Sequence, residues 1–135
     1  MDSPQFTGAA NNKGLTFKNA DGTTLKTLIT AGANGTKVVS IPVVNEQAGT
    51  QVVELHWNDG STDFRISTTD ILGLAGSAGA AVGELLDDAI NPGIEIDNNG
   101  NTSLKLGAGQ KLKVKMQVTI AGGETVYVTA FGADF

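Results

Sequence analysis

Few residues in this chain could carry out chemistry, and their spacing suits it poorly. His56 is the only histidine, and there is no cysteine. A serine-type nucleophile would need His56 as its base. Yet His56 stands in the middle of an alternating segment, on the face that also carries Glu54, and reads as a histidine on the solvated side of a strand. Zinc takes three or four His or Cys ligands, and a cupin centre likewise needs several His and carboxylate groups. Asp97-Asn98-Asn99-Gly100-Asn101 begins like a calcium loop, but the twelfth position holds Ala108 where such a loop needs a bidentate glutamate. It reads as an Asn-Gly turn. Asp87 and Asp88 are sequence neighbours, and neighbours do not face one another on a helix or strand. Gly73, Gly76, Gly79 and Gly83 lack the Lys-Ser/Thr that would complete a phosphate-binding loop. No catalytic residue, cofactor site or metal site is expected, and the chain is not expected to be an enzyme.

One set of charges has a regular spacing. Lys111, Lys113 and Lys115 lie along one face of a strand. They form either a dock for an acidic partner or a charged face that discourages edge pairing. No aromatic residues interleave them, as a single-stranded nucleic-acid platform requires.

The elements that position these residues are short strands. Lys111–Ile120 alternates strictly, with Leu112, Val114, Met116, Val118 and Ile120 on one side, the pattern of a half-buried strand. Gln51–Trp57 alternates too, placing Val53, Leu55 and Trp57 together. Asn58-Asp59-Gly60-Ser61 then turns it into Thr62–Ser67, the clearest hairpin. Thr36–Val44 is β-branched on both faces and predicts an inner strand, interrupted at Pro42. Thr24–Thr30, Ile94–Ile96, Thr102–Leu106 and Thr125–Phe131 complete the set, and the N-terminal arm has at most one short strand, around Gly14–Lys18. Ile71–Ile90 is rich in Gly and Ala. It predicts a long loop in which Ala80–Ile90 could form one or two helical turns, because Val82, Leu85, Leu86 and Ala89 fall at helical spacing. Turns every 8–12 residues mark a sandwich or barrel.

The chain has 135 residues, enough for one domain. It is 40% apolar and 17% charged, too apolar for a disordered chain and too polar for a membrane protein. The 18 glycines follow no collagen-like period and read as turns. A net charge of −5 argues against nucleic acid as the main partner. Met1–Phe6 has neither a basic region nor an apolar run, so synthesis in a cytoplasm without a signal peptide is expected. No stretch is apolar enough to span a membrane. The expected architecture is all-β: a two-sheet antiparallel sandwich, jelly-roll-like, over residues 23–135, preceded by an N-terminal arm over residues 1–22.

The order of blocks is familiar. Asp21-Gly22-Thr23 leads to the run from Leu28 to Val38 through Ala31-Gly32-Ala33-Asn34-Gly35. The Asp59-Gly60 hairpin is followed by Phe64-Arg65-Ile66. Asp97 to Gly100 precedes the run from Leu104 to Val114, and the chain closes on Val128-Thr129-Ala130-Phe131-Gly132-Ala133-Asp134-Phe135. From about Gly14 onward this resembles the small capsid decoration, or cement, proteins of tailed bacteriophages. The Gly73–Gly83 insertion departs from them. The resemblance implies a β-sandwich without enzymatic activity on the outer surface of the head in the virion. It further implies contact with the major capsid protein and a homo-oligomer, commonly a trimer. An arm carrying Pro4, Gln5, Phe6, Leu15 and Phe17 would lie across the shell and pair with its edge strands. Removing residues 2–17 is then expected to leave the sandwich folded. Two alternatives stay open: another virion part, such as a head fibre or tail domain, and a bacterial carbohydrate-binding or surface module.

Overall fold

A computed structural model describes residues 8–77, 81–86, 95–96 and 102–135 of the chain. Alternating side chains build two antiparallel sheets that close over one apolar layer, so the expected sandwich is the observed one. The strands are β1 (Lys13–Phe17), β2 (Lys26–Thr30), β3 (Thr36–Ser40), β4 (Pro42–Asn45), β5 (Gln51–Asn58), β6 (Asp63–Ile71), β7 (Gly83–Glu84), β8 (Glu95–Ile96), β9 (Thr102–Leu106), β10 (Lys111–Met116) and β11 (Val126–Asp134). One 3-10 turn, Asn19–Asp21, joins β1 to β2. The smaller sheet has the order β2-β10-β5-β6. The larger has the order β7-β4-β11-β3-β9-β8, with β1 on the other edge of β11.

The best alternating segment became β10, at the centre of the smaller sheet. Leu112, Val114 and Met116 are fully buried, and they register against Trp57, Leu55 and Val53 of β5. From the larger sheet Val38, Ile41, Val43, Val126, Val128 and Ala130 close the same core. The strand is shorter than its pattern. The Gln117 N–H donates to the Val52 carbonyl (3.0 Å) at the end of β5, and the buried Gln51 side chain then takes the Val118 carbonyl (2.9 Å). With no partner strand left, the chain turns, and Val118 is 65% exposed while Ile120 re-enters the core.

The β5–β6 hairpin turns on side chains. The Asp59 carboxylate accepts the N–H groups of Ser61 (2.9 Å) and Thr62 (2.8 Å), and Gly60 takes φ +110°, a conformation that favours glycine. The Thr62 bond, followed by that from Ser61, holds the Asp59 carboxyl below the usual range. Ile66 is an extra residue opposite the Leu55–His56 step, and this bulge lets β6 run on to Ile71.

The β-branched run 36–44 is an inner element, as its composition predicts, but it divides. β3 pairs with the C-terminal half of β11 and β4 with the N-terminal half, with Ile41 buried between them. Pro42, which has no N–H to donate, opens β4. The extra residue Val39 faces the Phe131–Gly132 step of β11, so both Val39 and Ser40 lie on the outer side.

The Ala/Gly segment carries no helix over residues 81–86. Gly83 packs flat on Ile71, where a Cβ would stand 2.5 Å from the Ile71 Cδ1, and Leu85 and Leu86 are buried. The Glu84 carboxylate receives the Ser40 hydroxyl (2.6 Å) and the N–H groups of Ile41 (2.6 Å) and Leu86 (3.0 Å). These long-range bonds hold the backbone extended against its helical spacing. Ala89 and Ile90 lie outside the described residues.

The expected arm is only partly separate from the sandwich. Its last residues form β1, in register with β11 from Lys13 opposite Ala130 to Phe17 opposite Val126. Phe17 is fully buried, Leu15 packs on the core, and the Lys26 ammonium sits 4.8 Å over the Phe17 ring. Removal of residues 2–17 would therefore take a core aromatic and a whole strand with it. Phe17→Ala should lower the free energy of unfolding by about 3–5 kcal/mol, read from urea titration followed by Trp57 fluorescence. Asn45 is as enclosed as Phe17. Its amide donates to the Gly49 (3.0 Å) and Leu72 (3.2 Å) carbonyls, and its oxygen accepts the Gln47 N–H (3.0 Å). Asn45→Ala, which strands those groups, should cost about 2 kcal/mol or more in the same titration.

Candidate binding surfaces

The outer face of the smaller sheet collects the charges that the sequence singles out. Glu54 lies at its centre, only 6% exposed. His56 Nε2 is 3.0 Å from its Oε1, and Arg65 Nη1 is 3.7 Å from the same oxygen. Burial is the largest single influence on the Glu54 carboxyl and pushes its pKa up. Hydrogen bonds from His56 and Gln117 and the charges of Lys115 and His56 together outweigh it, and the carboxyl sits below its ordinary value. Lys113 pairs with Asp63 at 3.0 Å, and the Asn58 amide donates to the same carboxylate at 2.7 Å. The lysine ribbon is therefore largely answered within its own sheet: Lys113 by Asp63, Lys115 by the neighbouring Glu54. His56 has its partner in Glu54 and stands beside no serine or threonine nucleophile in any bond of the described residues.

A second polar group fastens residues 8–12 to the end of β11. The Asp134 carboxylate accepts the Thr36 hydroxyl (2.6 Å) and the Asn11 amide (2.9 Å), and the Thr36 oxygen accepts the Gly32 N–H (3.0 Å). The Asn11 amide also reaches the Thr30 carbonyl (3.2 Å). Backbone bonds run alongside, from Asp134 N–H to the Ala9 carbonyl and from Asn11 N–H to the Gly132 carbonyl. Residues 8–12 thus continue the pairing of β1 along β11. Between β1 and β2 side chains span the gap: Asn11 at one end, and at the other Lys26, which donates to the Thr16 carbonyl (2.9 Å) and pairs with Asp21 (2.8 Å). An open cleft of about 580 Å³ remains there, lined by Ala10, Asn11, Lys13, Thr27, Leu28, Thr30, Gly32 and Asp134.

The outer face of the larger sheet is different in character. Along β11 the outward residues are Tyr127, Thr129 and Phe131, with the two aromatics 40% and 44% exposed. Val44 stands opposite Tyr127, and Val44 and Val82 close over Gly76, which leaves them room by having no side chain. Val39 lies beside the Phe131 step. Gly14, on β1 opposite Thr129, keeps the middle of this face flat. Sequence reading missed this surface, because outward position on a strand says nothing about what covers it.

The other sequence candidates fall as follows. Pro4, Gln5 and Phe6 lie outside the described residues, as do Asp87, Asp88 and Asp97–Asn101. Phe17 is fully buried on β1, and Leu15 turns inward on the same strand, partly buried against the core. Among the described residues no group of three or more His, Cys, Asp or Glu side chains converges as a metal site. No helix is long and apolar enough to cross a membrane.

The fold and surfaces define the class first: an all-β two-sheet sandwich that presents one ion-paired face and one apolar face. No protein-family model matches the chain, and no curated protein matches it. Among solved structures it is similar to a pentameric capsid protein isolated from metagenomic phage sequences, at 16% identity and a TM-score of 0.40, over 92% of this chain and 60% of that one. A second structure of a pentameric capsid protein from metagenomic phage sequences aligns with the same identity and TM-score, over 92% of this chain and 68% of that one. The chain thus spans about three fifths of the first of these.

The Thr36 and Asn11 hydrogen bonds, chief among its partners, hold the Asp134 carboxyl below its ordinary value. A carboxyl lowered by folding stabilises the fold above its unfolded pKa, and that contribution is lost as pH falls through the lower folded value. Stability should therefore decline as pH drops below about 4. Asp134→Asn should make the acid limb shallower, measured as the urea midpoint from pH 6 to pH 2.5.

Proposed function

We propose that this chain is a bacteriophage capsid decoration protein, a non-enzymatic sandwich that binds the outer surface of the head and stabilises contacts between major capsid protein subunits. The observation that carries the reading is the division of its surface. The groups able to do chemistry answer one another on the smaller sheet, and exposed aromatic and aliphatic side chains line the larger one. Contact area is then what the molecule offers. Apolar patches of this kind mark interaction sites. The block order from Gly14 to the C-terminus supports a head protein and a trimer. Modest affinity per copy suffices when many copies bind one shell, because linked contacts add.

The arm keeps a role in this reading with new limits. Residues 8–17 pair along β11 and belong to the sandwich, so the shell-binding part in this reading is residues 1–7, with Pro4, Gln5 and Phe6 as its docking residues. Purified protein should bind expanded empty heads and raise their melting temperature. Deletion of residues 2–7 should weaken that binding by about tenfold or more while leaving the isolated protein's unfolding midpoint unchanged. Binding to tails or fibres alone would make it another virion part. Glycan binding with no affinity for heads would make it a surface module.

A further inference from the structure

The apolar face of the larger sheet has an internal symmetry. On β11, Tyr127 and Phe131 stand two residues either side of Thr129. Four residues to one side, Thr125 accepts the backbone N–H of Glu46, and four residues to the other, Ala133 registers with Lys37. Glu46 and Lys37 lie on the same side of β11, at opposite ends of the face, and neither makes an ion pair among the described residues. Val44, opposite Tyr127, has its counterpart in Val39 beside the Phe131 step. Acid, aliphatic and aromatic on one side of Thr129 are thus matched by aromatic, aliphatic and base on the other.

We propose that this face binds a second copy of the chain back to back, about a two-fold axis that passes over Thr129 and crosses the strands. Strands of the two copies then run antiparallel. Tyr127 of one copy lies over Phe131 of the other, Val44 over Val39, and Glu46 over Lys37. Each contact occurs twice, as a two-fold interface requires. Sheets packed face to face lie about 10 Å apart with strands within about 30° of each other, which these side chains span. A parallel arrangement would instead remove Glu46 from Lys37 and lose the charge match. Gly14, with no side chain beside Thr129, allows the close approach at the axis. This pairing is separate from the three-fold contact that the sequence resemblance implies; it takes the apolar face for a second copy and leaves shell binding to the N-terminal segment.

Sedimentation velocity of the full chain tests it. The wild-type protein should form pairs, or even multiples, at about 0.1 mM. Thr129→Arg should weaken that association by more than tenfold with an unchanged far-ultraviolet spectrum and unfolding midpoint. Glu46→Lys and Lys37→Glu should each weaken it, and the double variant should regain association within about threefold of wild type, because both ion pairs are restored with reversed sign. The chain has no cysteine, so Thr129→Cys adds a unique thiol, and a short bismaleimide should couple it into dimers while Thr68→Cys, on the opposite face, stays uncoupled. A monomeric wild type, association unaffected by Thr129→Arg, a double variant no better than the single ones, or coupling at Thr68→Cys equal to that at Thr129→Cys would each overturn the proposal.

Discussion

The structure depends on β11 being paired along both edges at once. β1 holds one edge from Val126 to Ala130, and β4 and β3 divide the other. A strand fixed from both sides cannot slip by one residue without turning every side chain to the wrong face. Val126, Val128 and Ala130 are therefore committed to the core, and Tyr127, Thr129 and Phe131 to the outside. Core and outer surface are two sides of the same register. The ladder also explains why an apolar outer face persists at all: removing its aromatics from solvent would require breaking the pairing that buries the residues between them.

Enclosed polar groups are handled by local partners in most of the fold. Thr36 bridges Gly32 to Asp134, Asn45 gathers the carbonyls of the 49–72 region, and Glu54 draws in His56 and Arg65. β6 is treated differently. Among the described residues it is one edge of the smaller sheet, and its Ser67 and Thr69 hydroxyls point inward without a protein partner. Asp63, Arg65 and Asp70, together with the bulge at Ile66, mark it as an edge guarded against pairing with another sheet. The outward charges of the smaller sheet and the outward aromatics of the larger thus give the two sides of one sandwich opposite tendencies, solvation on one and contact on the other.

Much of this could be read along the chain because a strand's pattern is local. Leu112, Val114 and Met116 faced inward as their spacing required, and the Asn58–Ser61 turn and the Glu54–His56 face stood where residue type placed them. The failures share a cause. Val118 kept the alternation but lost its neighbour when β5 ended. Leu85 and Leu86 had helical spacing but were drawn out by Ile41 and Glu84 from distant parts of the chain. The short strand around Gly14–Lys18 formed as β1, but nothing near Phe17 in sequence showed that β11, more than a hundred residues later, would supply its ladder.

Sequence alone determined the class of the molecule: period-two patterning and closely spaced turns specify strands, and a single histidine without cysteine limits what chemistry is possible. Tertiary structure alone decided which outward residues remain uncovered, that Lys113 meets Asp63 while Lys37 meets no anion among the described residues, and that residues 8–12 are fastened to the end of β11 through Asp134. The physical reason is distance. Alternation is set by each residue's own backbone, whereas exposure and pairing are set by strands that meet only after the chain has folded.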